Sequence, residues 1–230
     1  SEVQILSPRF DFRDSDMKKL VLYSDQIPSV SDKIDKELVA LLGKSNPIIG
    51  YIPSNADPQR KYYNERQQYY SRLGMDLKIY FELDKEYHPN LLESLLACDA
   101  IHLSGGNTYY FLHWLRKRKM LLPLRQYVEQ GGILIGVSAG SILMSPDISI
   151  CPLYVDEPIE VETNFSALNL VDFAFAPHYR SRRMSTTIPA LQKYSRDHQI
   201  VVYACQDSGG IVVTDDNVTC IGDVVKVYEE

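Results

Sequence analysis

The sequence predicts an α/β fold, with three layers, a mostly parallel sheet covered by helices on both faces, and a C-terminal antiparallel hairpin at the sheet edge. Three observations predict it. Short apolar, β-branched runs recur along the first two-thirds of the chain, and longer stretches of helical period separate them. In the last third the apolar runs follow one another closely, with only turn residues between them.

In chain order, Leu20 to Tyr23, Ile48 to Ile52, Leu77 to Phe81, Ala100 to Leu103 and Ile133 to Val137 read as strands, because each run is too short for a helix and is bounded by turn formers. Helices are expected near 32–43, 58–73, 89–97, 107–117 and 121–130. A strand that is followed by a helix and a further strand returns through a right-handed crossover, so the sheet becomes parallel and covered on both faces. Ile200 to Cys205, Gly210 to Thr214, Val218 to Ile221 and Val224 to Tyr228 are joined by turns such as Asp215-Asp216-Asn217. They read as a strand and then a hairpin or meander at the sheet edge. Tyr62, Tyr63, Tyr69 and Tyr70 repeat seven apart on a predicted helix and are expected to form a packing face. The first 16 residues carry no clear pattern and read as an added strand or a loose arm. No linker or internal repeat divides the 230 residues, so one domain is expected over 1–230.

Charge and composition exclude several classes of function. The formal net charge of -6 argues against a nucleic acid or an anionic membrane as partner, because phosphate binding needs a clustered cationic surface. The one basic run, Arg116-Lys117-Arg118-Lys119, follows an apolar helical stretch, where cations favour the helix C-terminus. No apolar run approaches the roughly 18 residues of a membrane span, and the start of the chain lacks a basic-then-apolar signal pattern. A cytoplasmic protein is expected. Cys98, Cys151, Cys205 and Cys220 form no C-x-x-C pair and read as small buried hydrophobes. His88, His102, His113, His178 and His198 show no metal-binding spacing, so neither a metal nor another cofactor is expected.

Chemistry concentrates in Gly136-Val137-Ser138-Ala139-Gly140, where an apolar strand runs into G-x-S-x-G and then a helical pattern. In such a nucleophile elbow the turn is so tight that small residues must flank the serine, which leaves Oγ exposed over the carboxyl end of the sheet. The helix starting there turns its positive end toward the site, and the Ala139 N–H is a candidate oxyanion donor. A second strand-to-helix loop, Ser104-Gly105-Gly106-Asn107-Thr108, emerges at the same sheet edge, and Gly105 or Gly106 is the candidate for a second donor. A serine nucleophile needs a base. After Ser138 the choices are His178, just past the apolar run ending at Ala176, and His198, at the end of a solvated helix. His178 is preferred because a base must reach Oγ from a fixed element. Asp147, Asp156, Glu157, Glu160, Glu162 and Asp172 lie between nucleophile and base, and spacing does not choose among them as the orienting acid.

These motifs, with Ala167-Leu168-Asn169-Leu170-Val171-Asp172-Phe173 leading into Pro177-His178-Tyr179, resemble the peptidase E (aspartyl dipeptidase) and cyanophycinase family of serine peptidases, from about Lys19 onward. The resemblance implies a class I glutamine-amidotransferase-like, flavodoxin-like fold. It implies Ser138 as nucleophile, His178 as base, and Gly106 with Ala139 as oxyanion-hole donors. The acid it implies is Asp156, in Val155-Asp156-Glu157-Pro158, with Glu157 as rival. Gly105, Asn107 and an arginine after the histidine, Arg183 among Arg180, Arg182 and Arg183, are implied as substrate-binding residues. The activity implied is hydrolysis of small peptides, with dipeptides beginning with Asp as the specific case, by a monomer or homodimer. The rivals are a serine esterase or amidase and a non-catalytic binding module of the same fold. A cysteine would stand at position 138 in a glutamine amidotransferase.

Overall fold

The structure, a computed structural model, describes residues 17–154, 158, 164–181 and 187–228. Ten strands and seven α-helices follow in the order β1 (Lys19–Tyr23), α1 (Asp32–Leu42), β2 (Ile48–Ile52), α2 (Lys61–Arg72), β3 (Asp76–Tyr80), α3 (Pro89–Leu96), β4 (Ala100–Leu103), α4 (Thr108–Lys117), α5 (Leu121–Glu129), β5 (Ile133–Val137), α6 (Ala139–Ile142), β6 (Phe173–Ala176), α7 (Ile188–His198), β7 (Val201–Cys205), β8 (Gly210–Thr214), β9 (Asn217–Ile221) and β10 (Val224–Val227), counted among the described residues.

The main sheet has the strand order β3-β2-β4-β5-β1-β8-β9. Its first five strands are parallel, and β8 and β9 add on as an antiparallel hairpin beyond β1. Side chains alternate across the pleat, and each strand feeds two cores. Leu20, Leu22, Ile101, Leu103 and Leu134 face the helices α3, α4 and α5 through Leu95, Phe111, Leu112, Leu115 and Leu124. Val21, Tyr23, Ile49, Ile133 and Ile135 face α1 and α2 through Ile34, Leu38, Tyr69 and Tyr70. These are the two covered faces that near-continuous apolar strands require.

The tyrosines of α2 divide as their helical positions dictate. Tyr63, Tyr69 and Tyr70 are buried, whereas Tyr62 is exposed. Their hydroxyls do not go unpaired: Tyr69 donates to Asp35 of α1 at 2.7 Å, Tyr23 of β1 donates to the same carboxylate at 2.9 Å, and Tyr63 donates to the Leu77 carbonyl at 3.0 Å. Burial raises the pKa of Asp35 despite the two tyrosine hydrogen bonds, which pull it down.

The C-terminal region corrects one expectation. The β8–β9 hairpin does lie at the sheet edge, but β7 and β10 leave the main sheet and form a three-stranded sheet with β6, in the order β10-β7-β6. The physical reason is that β8 already occupies the free side of β1. β7, which returns through α7, pairs parallel to β6 instead, and β10 adds antiparallel to β7. Among the described residues no helix is long and apolar enough to cross a membrane.

Candidate active site

Ser138 is the single residue between β5 and α6, with φ 52° and ψ -108°. That conformation is costly for a residue with a Cβ and persists only where the surroundings over-determine it. They do so here through backbone hydrogen bonds. The Ser138 N–H donates to the Tyr23 carbonyl at 3.0 Å, and the Ser138 carbonyl accepts from the N–H groups of Ser141 and Ile142 at 2.9 and 3.0 Å. The flanking glycines are required by close approach. A Cβ on Gly136 would lie 2.6 Å from the Ser141 nitrogen, and one on Gly140 would lie 2.2 Å from the Leu103 carbonyl oxygen. Gly140→Ala is therefore expected to destabilise the protein by about 3 kcal/mol or more, or to prevent folding, because backbone lies on both sides of the clash. Urea unfolding of the purified variant checks this, and a midpoint equal to that of the wild type would contradict it. The helix after the serine is only one turn long. The positive end expected from the sequence thus reduces to individual amide groups.

His178 stands two residues past β6 with φ 59°. Its N–H donates to Ser24 Oγ at 2.7 Å, and Ser24 Oγ in turn donates to the Cys205 carbonyl at 3.0 Å. The histidine is thereby tied to the carboxyl ends of β1 and β7. The His178 side chain is 4% exposed. Its Nε2 lies 2.8 Å from Ser138 Oγ, and its Nδ1 lies 2.6 Å from Asp207 Oδ1. His198, the rival base, ends α7 and stacks on Tyr194, with ring centroids 4.2 Å apart.

The carboxylate on the imidazole is one that sequence reasoning missed. Asp156 and its rival Glu157 were expected between nucleophile and base, and both lie outside the described residues. Among the described residues Asp207 is the carboxylate that meets Nδ1, and strand pairing explains why. β6 and β7 are parallel with Ala176 opposite Ala204, so the segment just past Ala176 runs beside the segment just past Cys205. The signal available in the sequence was Asp207-Ser208-Gly209-Gly210, a turn directly after an apolar run.

The second loop meets the first at the nucleophile. A Cβ on Gly105 would lie 3.6 Å from Ser138 Cβ. Gly106 has φ 139°, and a Cβ there would fall 2.0 Å from Ser54 Oγ, so this position also needs glycine. The loop is braced by Ser54 Oγ donating to the Gly105 carbonyl at 2.6 Å, and by the Gly140 N–H donating to the Ser104 carbonyl at 3.1 Å. Among the described residues, hydrogen bonds occupy neither the Gly106 nor the Ala139 N–H. Asn107 caps α4, its Oδ1 accepting from the Tyr110 N–H at 2.9 Å. Arg180 is exposed, with its guanidinium over the Tyr179 ring at 5.1 Å, and Arg182 and Arg183 lie outside the described residues.

A cavity of about 420 Å³ opens beside Ser138, lined among others by Asp25, Tyr51, Glu65, Arg66, His102 and Gly106. That volume suits a small ligand. Asp57, at its rim, is committed to the start of α2, where it accepts from the N–H groups of Lys61, Tyr62 and Tyr63. The ligand-capable atoms of Asp25, His178 and Asp207 lie within 4.8 Å of one another, but both ring nitrogens of His178 are already hydrogen-bonded, to Ser138 and to Asp207.

Comparison with known proteins gives the family and the fold. The model of peptidase family S51 matches residues 22–221. An uncharacterized peptidase of Pasteurella multocida is 29% identical over 167 residues, 71% of this chain and 78% of the relative. A peptidase E of Nostoc sp. is 30% identical over 146 residues, 63% of this chain and 57% of the relative. The chain thus spans little more than half the length of some curated relatives. A crystal structure of a protein from Listeria monocytogenes EGD-e, assigned as a peptidase E, superposes with a TM-score of 0.73 at 23% identity, covering 89% of this chain and 98% of that one. At that identity the similarity speaks to the fold.

Proposed function

The chain belongs to peptidase family S51, and from this premise we propose that it is a serine peptidase that hydrolyses small peptides through an acyl-enzyme on Ser138. The observation that carries the reading is the unbroken relay from Ser138 Oγ to His178 Nε2 at 2.8 Å and from His178 Nδ1 to Asp207 Oδ1 at 2.6 Å. As Oγ attacks the scissile carbonyl carbon, Nε2 takes its proton, and Asp207 holds the ring in the tautomer that leaves Nε2 free to accept. The carbonyl oxygen becomes an oxyanion, for which the uncommitted N–H groups of Gly106 and Ala139 are the candidate donors. The C–N bond then breaks as His178 returns the proton to the leaving amine, and water repeats the sequence to release the acid product.

The finer reading is a dipeptidase acting on peptides that begin with Asp. It is supported by the relatives named peptidase E and by a cavity with room for about one residue, which carries both Arg66 and the carboxylates Asp25 and Glu65. The guanidinium suits an acidic side chain, and the carboxylates suit a free amino group. The test is nitroaniline release from aspartyl-nitroanilide beside other aminoacyl anilides and nitrophenyl esters, with fluorophosphonate labelling of the same sample. Release confined to the aspartyl compound establishes the finer reading, and release from other anilides keeps the peptidase while moving its specificity. Ester cleavage alone, or an unlabelled folded protein, overturns the proposal.

A further inference from the structure

The cavity beside Ser138 contains a side chain that the hydrolytic relay does not use. His102, within β4, is 1% exposed, yet its ring lines this cavity. The ring stacks on Tyr51, with centroids 4.9 Å apart, and its Nδ1 lies 2.8 Å from the Tyr70 hydroxyl. Among the described residues Nε2 has no hydrogen-bond partner, and it is not among the polar atoms sealed from solvent without one.

The neighbouring groups decide which ring nitrogen carries the proton. The Arg66 guanidinium has only donors, and its Nη1 donates to both the main-chain oxygen and the Oε1 of Gln26, at 2.7 and 2.9 Å. This orients the Gln26 amide, whose Nε2 is left to donate to the Tyr70 oxygen at 3.3 Å. Tyr70 is fully buried and must place its own proton, and His102 Nδ1 is the acceptor within reach among the described residues. Were Nδ1 protonated, the hydroxyl would receive two donors and its own hydrogen would have no partner, which buried polar groups avoid. Burial and the charge of Arg66 hold the pKa of His102 well below the ordinary histidine range, so the ring is neutral. Its one proton therefore sits on Nε2.

We infer that His102 is a specificity-determining residue, a fixed neutral N–H donor inside the cavity that reads an oxygen acceptor on the substrate side chain adjoining the scissile bond. This rests on the peptidase reading of Ser138. The acceptor is a carboxylate or an amide carbonyl, since an apolar side chain filling the cavity would leave the buried N–H unpaired. Arg66 favours the charged form, whereas Asp25 and Glu65 oppose it.

Two measurements test the inference. The first is a long-range ¹H–¹⁵N correlation of the imidazoles in the intact protein, with the His102 signals assigned by their loss in His102→Phe. The expected tautomer is Nε2–H, and its signal should shift on adding L-aspartate or L-asparagine but not L-alanine. Whichever of the two acids answers identifies the charge of the preferred side chain. An Nδ1–H tautomer, or the same response to all three, overturns the inference. The second is the ratio of kcat/KM for aspartyl or asparaginyl anilide over alanyl anilide. It should fall about ten- to a hundredfold in His102→Phe. Part of it should return in His102→Gln, which restores an N–H donor. Equal loss across the panel would make His102 structural and sink the specificity role. Should the wild type cleave none of the anilides, the peptidase reading fails, and the imidazole spectra still decide His102.

Discussion

Ser138→Ala is expected to lower kcat for the best anilide substrate by about 10⁴-fold or more, the loss that follows removal of a serine nucleophile from an assembled relay. What remains is set by binding and by the oxyanion donors, which the substitution leaves in place. The fold should survive. The Ser138 N–H to Tyr23 carbonyl bond and the two bonds onto the Ser138 carbonyl are made by the backbone, and alanine keeps the Cβ. The conformation at φ 52° and ψ -108° remains equally strained in both proteins. Ser138→Gly supplies the complementary measurement. It should be as inactive as the alanine variant and should unfold at higher urea, because glycine is the residue to which this backbone conformation costs least. Single-turnover kinetics with urea unfolding of the three proteins check both statements. An alanine variant that turns over like the wild type would remove Ser138 from the mechanism.

How much of this was legible in the sequence depends on how local each determinant is. The strands β2, β4 and β5 coincide with their apolar runs, since a parallel strand buried on both faces is written in consecutive residues such as Ile133 to Val137, and the antiparallel β8 coincides with its own. The elbow is equally local, because its two glycines answer clashes within a few residues of Ser138 or with the adjacent β4. His178 could be chosen because it follows an apolar run at the sheet edge. Its φ of 59° and its anchorage on Ser24 could not be read, for the partner lies 154 positions away. Asp207 was missed for the same reason. An orienting acid needs proximity to the imidazole and has no required position in the chain, so a search confined to the segment between serine and histidine left Asp207 outside the candidates. What brings Asp207 to His178 is the register of β6 on β7, and strand pairing across a helical crossover leaves no mark in either segment alone. The transfer of β7 and β10 to a separate sheet escaped the sequence reading on the same ground. His102 shows the converse case, in which alternation put a polar residue inside β4 and only the Arg66–Gln26–Tyr70 chain gives that residue a defined proton.

Asp207→Asn is expected to lower kcat by about 10³- to 10⁴-fold with little change in stability. Asparagine is nearly isosteric, but its amide can present an N–H to Nδ1, and Nδ1 then becomes the acceptor. The ring proton moves to Nε2, which faces Ser138 Oγ at 2.8 Å with a hydrogen where a lone pair is needed. The hydroxyl cannot pass its proton to a nitrogen that is already protonated, so the base is lost while the geometry is kept. The Asp207 side chain is 37% exposed, so removing its charge should change the unfolding free energy by no more than about 1 kcal/mol. This separates a catalytic loss from unfolding. Asp156→Asn in the same assay should cost less than about tenfold, because one carboxylate suffices to fix the tautomer. The reverse pattern, a large loss at position 156 and a small one at 207, would assign the orienting role to Asp156 and reduce the 2.6 Å contact of Asp207 to a packing detail.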